Sequence, residues 1–352
     1  MPLSCKIKGE GQKLLAFDLT TDQWEQLRVD NRRKKHLRMP CCDAKVVLKK
    51  SNRGTRFFAH KRVGDCDASG ETEHHLRLKQ IAVEAARSAG WEAETEVPGG
   101  TPSSGEWVAD VLATKGHAKV AIEIQWSGQT YEKTLQRQQR YKADGVRCLW
   151  LMRRIGEDFT PTRELPIAQV SEDQDAGYLA HLTPGYEHDS EQVLPVREFL
   201  DAAFSRRFHF SVPRRCLGTA SVRVGNLECW RCKKETNIIS FITVDLGFGP
   251  IRFTVPYLDG CDSLVSGLVR LIPRDLRVGA IKHRHSKTQG YAYLSNGCGH
   301  CGALIGQFFE YQVRGDDKEV ARLDIRIDDD WLDLLCGQVH GWTVYTFENT
   351  GL

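Results

Sequence analysis

The 352-residue sequence predicts an α/β protein of more than one domain. Three observations carry that prediction. Residues 71–153 alternate helical and extended patterns in the order helix, strand, strand, strand, helix, strand. The last of these strands, VRCLWLM (146–152), is apolar on both faces and follows a helix, as a buried parallel strand reached by a crossover requires. A later unit of different make-up opens with Cys229-Trp-Arg-Cys232 and is answered by Cys298-Gly-His-Cys301. The expected organisation is a basic N-terminal unit over 1–70, an α/β core over 71–155, a connector with a short helix over 156–215, and a C-terminal α+β domain over 216–352.

Within the first unit, residues 14–19 and 45–49 read as short strands, and the run NRRKKHLR (31–38) as a basic arm. In the core, Thr72 is placed to cap a helix over 70–90, with Glu71 and Glu73 at its positive end. Leu76, Ile81, Ala82 and Ala85 give that helix an apolar face, while His75 and Lys79 lie one turn apart. A strand over 91–97, a loop over 98–105 and a pair of strands, 107–114 and 119–126, follow. A helix over 129–143 leads into the buried strand. The polar stretch 157–191 reads as connector, and VREFLDAAF (196–204) as an amphipathic helix. Beyond it, 238–244 and 251–255 read as strands and 263–271 as a helix.

Composition sets limits on partners. An apolar fraction of 41% and a charged fraction of 27% are ordinary for a globular protein. The net charge of +3 is too small to imply nucleic acid by itself, but its distribution is uneven. The basic run marks Arg32, Arg33, Lys34 and Lys35 as candidate phosphate contacts, while 157–191 is acidic. No apolar run approaches the roughly 20 residues that span a bilayer, and the first residues lack a signal-peptide core. The expectation is a cytoplasmic protein with no membrane contact.

Twelve cysteines in such a setting point to metal rather than disulfides. The two C-x-x-C pairs can place four thiolates, Cys229, Cys232, Cys298 and Cys301, on one structural Zn²⁺. Cys41, Cys42, His60 and Cys66 form a looser second candidate for Zn²⁺, with buried thiols as the alternative. Cys5, Cys148, Cys216, Cys261 and Cys336 read as core thiols.

The acids of the core carry the chemistry. Asp110 lies in an apolar strand and Glu123 in the next one, and two such carboxylates are costly to bury without a cation. They are candidate ligands for Mg²⁺ or Mn²⁺, which take oxygen donors. Gln125 shares the side of Glu123 and is placed to orient a water. Lys79 or Lys119 can offer charge to a phosphate, and Glu71 and His75 can extend the site from the helix. This is the equipment of a metal-dependent phosphodiesterase.

These residues resemble the competence protein CoiA-like family, a branch of the PD-(D/E)XK nuclease superfamily. The resemblance covers residues 40–153. It rests on Glu71-Thr72 with His75 and Lys79, Ala109-Asp110-Val111, Ile122-Glu123-Ile124-Gln125 with Ser127, Arg137 with Tyr141, and Leu149-Trp150-Leu151. Phe58-Ala59-His60 and the surroundings of Cys42 resemble that family's N-terminal zinc knuckle. Val108 stands where the family usually has arginine, and Met39 near its first knuckle cysteine. The C-terminal CWRCKKET and NGCGHCGALIG are similar to zinc-ribbon modules, which often bind protein partners.

The resemblance implies a restriction-endonuclease-like αβββαβ core with an N-terminal zinc-knuckle-like unit and a C-terminal α+β zinc-ribbon domain. The implied function is a metal-dependent deoxyribonuclease, endo- or exo-acting, with DNA favoured over RNA and Arg137 added to the nucleic-acid contacts. Its setting would be phage defence, restriction, or DNA uptake and recombination. The alternative is a non-catalytic DNA-binding or recombination accessory protein that keeps the nuclease fold.

Overall fold

The structure, a computed structural model, describes residues 2–9, 13–61, 71–156, 159, 162–183, 191–335 and 337–346. The chain divides into two compact units, 1–181 with 193–206, and 182–192 with 207–352.

The first unit opens with β1 (Ser4–Ile7), β2 (Lys13–Leu15), α1 (Thr21–Lys34), β3 (Leu37–Arg38), β4 (Val46–Lys50) and β5 (Arg56–His60). Strands β2-β1-β3 form one small sheet and β4-β5 another. The basic run is not an arm. Thr20 and Gln23 form a capping box that starts α1, and Arg32, Arg33 and Lys34 make its last turn, at the negative end of the helix. Asn31 is buried beneath them, donating to the Val46 carbonyl at 2.8 Å and accepting from the Leu37 N–H at 3.0 Å. The stretch 14–19 is shorter than expected, since β2 ends at Leu15.

The core follows as α2 (Glu73–Ser88), β6 (Glu92–Thr101), β7 (Gly105–Lys115), β8 (Ala118–Gln125), α3 (Tyr131–Ala143), β9 (Arg147–Met152), β10 (Ile167–Asp173), β11 (Gly177–Leu182), β12 (Gln192–Pro195) and α4 (Val196–Phe204). One mixed sheet takes all seven strands in the order β12-β11-β10-β9-β8-β7-β6. β6, β7 and β8 pair antiparallel, β8, β9 and β10 parallel, and β10 and β11 antiparallel. β9 is buried from Cys148 to Met152, as its unbroken apolar run requires.

Two stretches differ from the sequence-based expectation. The expected loop over 98–105 shrinks to a turn at 102–104, because β6 and β7 stay paired out to Thr101 opposite Gly105. Gly99 permits this: a Cβ there would lie 2.2 Å from the Trp107 ring. The expected connector contributes β10 and β11 to the sheet. Its buried Ala168, Val170, Tyr178 and Ala180 alternate with less buried residues, and Asp173 Oδ1 closes the turn by accepting from the N–H groups of Asp175 and Ala176.

The second unit contains β13 (Phe208–Phe210), β14 (Leu217–Glu228), β15 (Glu235–Asp245), β16 (Pro250–Phe253), α5 (Asp262–Arg270), β17 (Lys282–His285), β18 (Ala292–Gly297), β19 (Leu304–Ile305), α6 (Gln307–Gln312), β20 (Lys318–Arg326), α7 (Asp329–Leu335) and β21 (Trp342–Val344). Its main sheet has the order β16-β15-β14-β20, with β17-β18-β19 and β13-β21 as smaller sheets. Ala220, Val222, Ile242 and Val244 of the main sheet pack with α5 and α7 residues such as Leu268 and Leu335 in one core. No helix is long and apolar enough to cross a membrane.

Candidate functional site

Helix α2 begins where the site does. Thr72 Oγ1 caps it by accepting from the His75 N–H at 3.3 Å, which fixes the first turn beside Glu71. One turn on, Lys79 is only 1% exposed. Its ammonium lies 2.5 Å from Glu71 Oε1, 3.0 Å from Glu96 Oε1 and 3.0 Å from Asp110 Oδ1. Burial opposes its charge, but Asp110, Glu96 and Glu71 hold Lys79 well above the ordinary lysine range.

Asp110 sits on β7 just past its last pair with β8, Val111 opposite Ile122. There its Oδ2 accepts from the Ile124 N–H at 2.9 Å. Burial disfavours the carboxylate, yet Lys79, His75 and the Ile124 N–H hold it well below the usual range. Glu96 is a member of the site that the sequence does not announce. It is a non-glycine residue in the left-handed region (φ 49°), between the Thr95–Val111 and Val97–Ala109 pairs. That backbone places its side chain against Ser4 Oγ, Thr95 Oγ1 and Lys79. Strain of this kind persists only where neighbours enforce it and clusters at functional sites; nothing in the local sequence pattern signals it.

One ligand atom each from Glu71, His75 and Asp110 lie within 4.8 Å of one another, close enough to hold one metal ion. His75 Nε2 is buried 3.1 Å from Asp110 Oδ2, so the imidazole and the carboxylate lie within reach of one shared ion or proton. Three carboxylates against the Lys79 ammonium leave two negative charges, which one divalent ion would balance. Glu71, His75, Lys79, Glu96, Asp110 and Gln125 line one cavity of about 980 Å³. Gln125 Nε2 is held by the Ser127 carbonyl and hydroxyl, both at 2.9 Å. Val108, 54% exposed, stands at its edge.

Glu123 is placed differently from the expected ligand pair. It is 1% exposed, accepts from Arg137 at 2.6 Å and from the Tyr141 hydroxyl, and is not in the three-residue ligand group. Burial, then the charge of Asp110, push its carboxyl up to about 8, against the pull of Arg137, Tyr141 and Lys79. Arg137, expected to contact nucleic acid, is thus engaged with Glu123 and lies over the Trp150 ring. Lys119 pairs near the β7–β8 turn, opposite Thr114, and does not line the cavity.

Two sulfur clusters accompany the site. Cys41, Cys42 and His60 bring three ligand atoms together, with Cys42 Sγ 3.1 Å from His60 Nε2, and Cys41 and His60 also line the cavity. Cys66 lies outside the described residues. In the second unit Cys229, Cys232, Cys298 and Cys301 form one group that could hold zinc. The two knuckles share one backbone design. The N–H of Lys233 returns to Cys229 O at 2.9 Å and that of Gly302 to Cys298 O at 2.9 Å, each from a left-handed residue. The N–H groups of Cys301 and His300, with the neighbouring thiols, overcome burial to bring the Cys298 thiol down to about 6. His300 Nε2 contacts the Glu235 carbonyl at 3.0 Å and is not in the ligand group. Cys5, Cys148 and Cys216 are buried thiols and Cys261 is half-buried; Cys336 lies outside the described residues.

A mixed sheet with acids, an imidazole and a buried lysine gathered at one cavity is consistent with a nuclease-like domain. Residues 71–187 match the family described as competence protein CoiA, nuclease-like domain, and that stretch is similar to it. No curated protein matches the chain.

Proposed function

We propose that the first unit is a metal-dependent nuclease with a restriction-endonuclease-like core, hydrolysing phosphodiester bonds of DNA. The observation that carries this reading is the convergence of Glu71, His75 and Asp110 on one point beside Lys79, inside the segment similar to the CoiA nuclease-like domain. Those three residues would hold the ion, which when bound would acidify a water and neutralise phosphate charge. Lys79, anchored by Glu71 and Glu96, keeps a fixed positive charge at the cavity wall. It supplies from the helix the positive charge that β8 does not bring to the cavity, where Gln125 stands and Lys119 points elsewhere in the hairpin. Gln125, braced by Ser127, orients the attacking water or a phosphate oxygen. Glu123 holds Arg137 and Tyr141 and so fixes the strand whose Ile124 N–H anchors Asp110. Arg32 and Lys35, which line a smaller cavity of about 230 Å³ with Arg28, Lys45 and Lys61, supply phosphate contacts outside the cleavage point.

The imidazole ligand favours Mn²⁺ over Mg²⁺ relative to an all-oxygen site. The test is cleavage of single- and double-stranded DNA with each metal. Asp110→Ala and His75→Ala should lower the rate by at least about 100-fold, the scale of removing one preorganised electrostatic group. Wild-type rates in those variants, or no cleavage with either metal, would sink the reading. The second reading is a non-catalytic DNA-binding protein. It is favoured by Glu123 being occupied by Arg137 and Tyr141. Retained DNA binding without cleavage would establish it.

A further inference from the structure

We propose that the outer face of the β16-β15-β14-β20 sheet in the second unit binds single-stranded nucleic acid, with Arg252 and Arg314 taking phosphates and Tyr311 stacking a base. The other face of this sheet is the apolar core. The outer face opens a cavity of about 500 Å³. Three guanidinium groups converge there on one ring: Arg223, Arg252 and Arg314 lie 5.7, 5.2 and 5.5 Å from the centre of Phe241. Like charges so gathered repel unless anions separate them. Asp317 takes Arg223 at 3.1 Å, and Glu319 takes the neighbouring Arg322 at 2.8 Å. Asp245 is the third acid of the cavity wall. Among the described residues neither Arg252 nor Arg314 has a carboxylate within ion-pair distance, and Arg314 Nε is buried with no hydrogen-bond partner.

The aromatic half of the surface is adjacent. Arg314 also lies over the Tyr311 ring at 4.0 Å, and Tyr311 is 53% exposed. Phe308, one turn earlier on α6, is 74% exposed. Spare guanidinium groups beside exposed rings are what a single strand requires, since its phosphates need cations and its unpaired bases present flat faces. A duplex keeps those faces stacked away from a ring. The inference goes beyond the nuclease reading and does not rest on the Asp110 cluster.

The test uses the full chain without added divalent metal and a fluorescein-labelled 20-nucleotide oligothymidylate, read by anisotropy across a salt series. Arg252→Ala with Arg314→Ala should weaken binding at least about 10-fold and flatten the log–log salt slope by roughly 0.7 for each phosphate no longer neutralised. Tyr311→Ala should weaken binding about 5-fold or more at an unchanged slope. Arg252→Ala alone, at an exposed side chain, keeps the test valid if the double variant loses its zinc or its fold. The same losses should appear in an Asp110→Ala background, which separates this surface from the nuclease site. Wild-type affinity and slope in both arginine variants would overturn the proposal. So would duplex binding that falls as much as single-strand binding with Tyr311→Ala inert, or inorganic phosphate competing as well per phosphate as the oligonucleotide.

Discussion

Lys79 shows how one residue organises the site. It is fully buried, yet carries three carboxylate partners. Breaking such a group by removing one charge costs more than its net worth, because the remaining charges stay buried. Lys79→Met should therefore destabilise the first unit by about 3–5 kcal/mol in urea titration. If Glu71 and Asp110 face a cation site, Mn²⁺ should stabilise the wild type and recover part of the lost stability in the variant, where one fewer cation opposes the acids. Glu310 makes the opposite case in the second unit. Burial pushes its carboxyl up to about 7, against the pull of the Asn296 side chain, the Val255 N–H and the charge of Arg314. A folded value above the ordinary 4.5 means that the folded state binds the extra proton. Stability is then greatest below pH 4.5 and falls as pH rises toward 7. Glu310→Gln should remove that decline, read as unfolding free energy at pH 5 and pH 8. An unchanged slope would show that the group titrates normally.

At the scale of elements, the long β6–β7 hairpin depends on its glycine. It stays paired past the site only because Gly99 leaves room for the Trp107 ring, which also donates through Nε1 to Asp144. Gly99→Ala should cost about 1–3 kcal/mol, the range for overpacking a filled position. Circular dichroism melts would detect it, and a neutral result would mean that the ring can shift. This hairpin matters to function because Val108 and Asp110 lie on it and Glu96 faces them from its partner strand. Helix α1 carries a different lesson. Its Thr20–Gln23 capping box is visible as Thr-x-x-Gln, but the following TDQWEQLRVDNRRK has too few apolar residues for a clear helical stripe. Only Trp24 and Asn31 of it are buried.

For the whole molecule, the four-cysteine group ties together segments about 70 residues apart in the second unit. A metal there closes a long loop, and its binding free energy adds to folding. Cys229→Ser should lower the zinc content by one ion per chain and lower the melting temperature of the second unit, leaving the sheet of the first unit folded. Hydrogen exchange would assign the change to one unit. Unchanged metal content would remove zinc from this cluster.

The strongly patterned parts of the fold are legible in the residues alone. The crossover into β9 follows from an unbroken apolar run after a helix, because only a strand covered on both faces tolerates it. Thr72 announces α2 by its capping chemistry, and α4 by its amphipathic spacing. The two C-x-x-C turns are equally local, since each knuckle is built within a few residues. Asp110, His75, Lys79 and Glu71 stand out as candidates because acids and cations in apolar strands and on one helix face are physically conspicuous. Their grouping comes from tertiary packing. Packing turns Glu96 inward through a left-handed backbone, gives Glu123 to Arg137 and Tyr141, and sets Asp110 beside Glu71 and His75 instead. It also makes β10 and β11 part of the sheet, where half-polar alternation resembles connector. Those outcomes depend on which faces meet across long separations in the chain, and local pattern carries periodicity and capping but not partner choice.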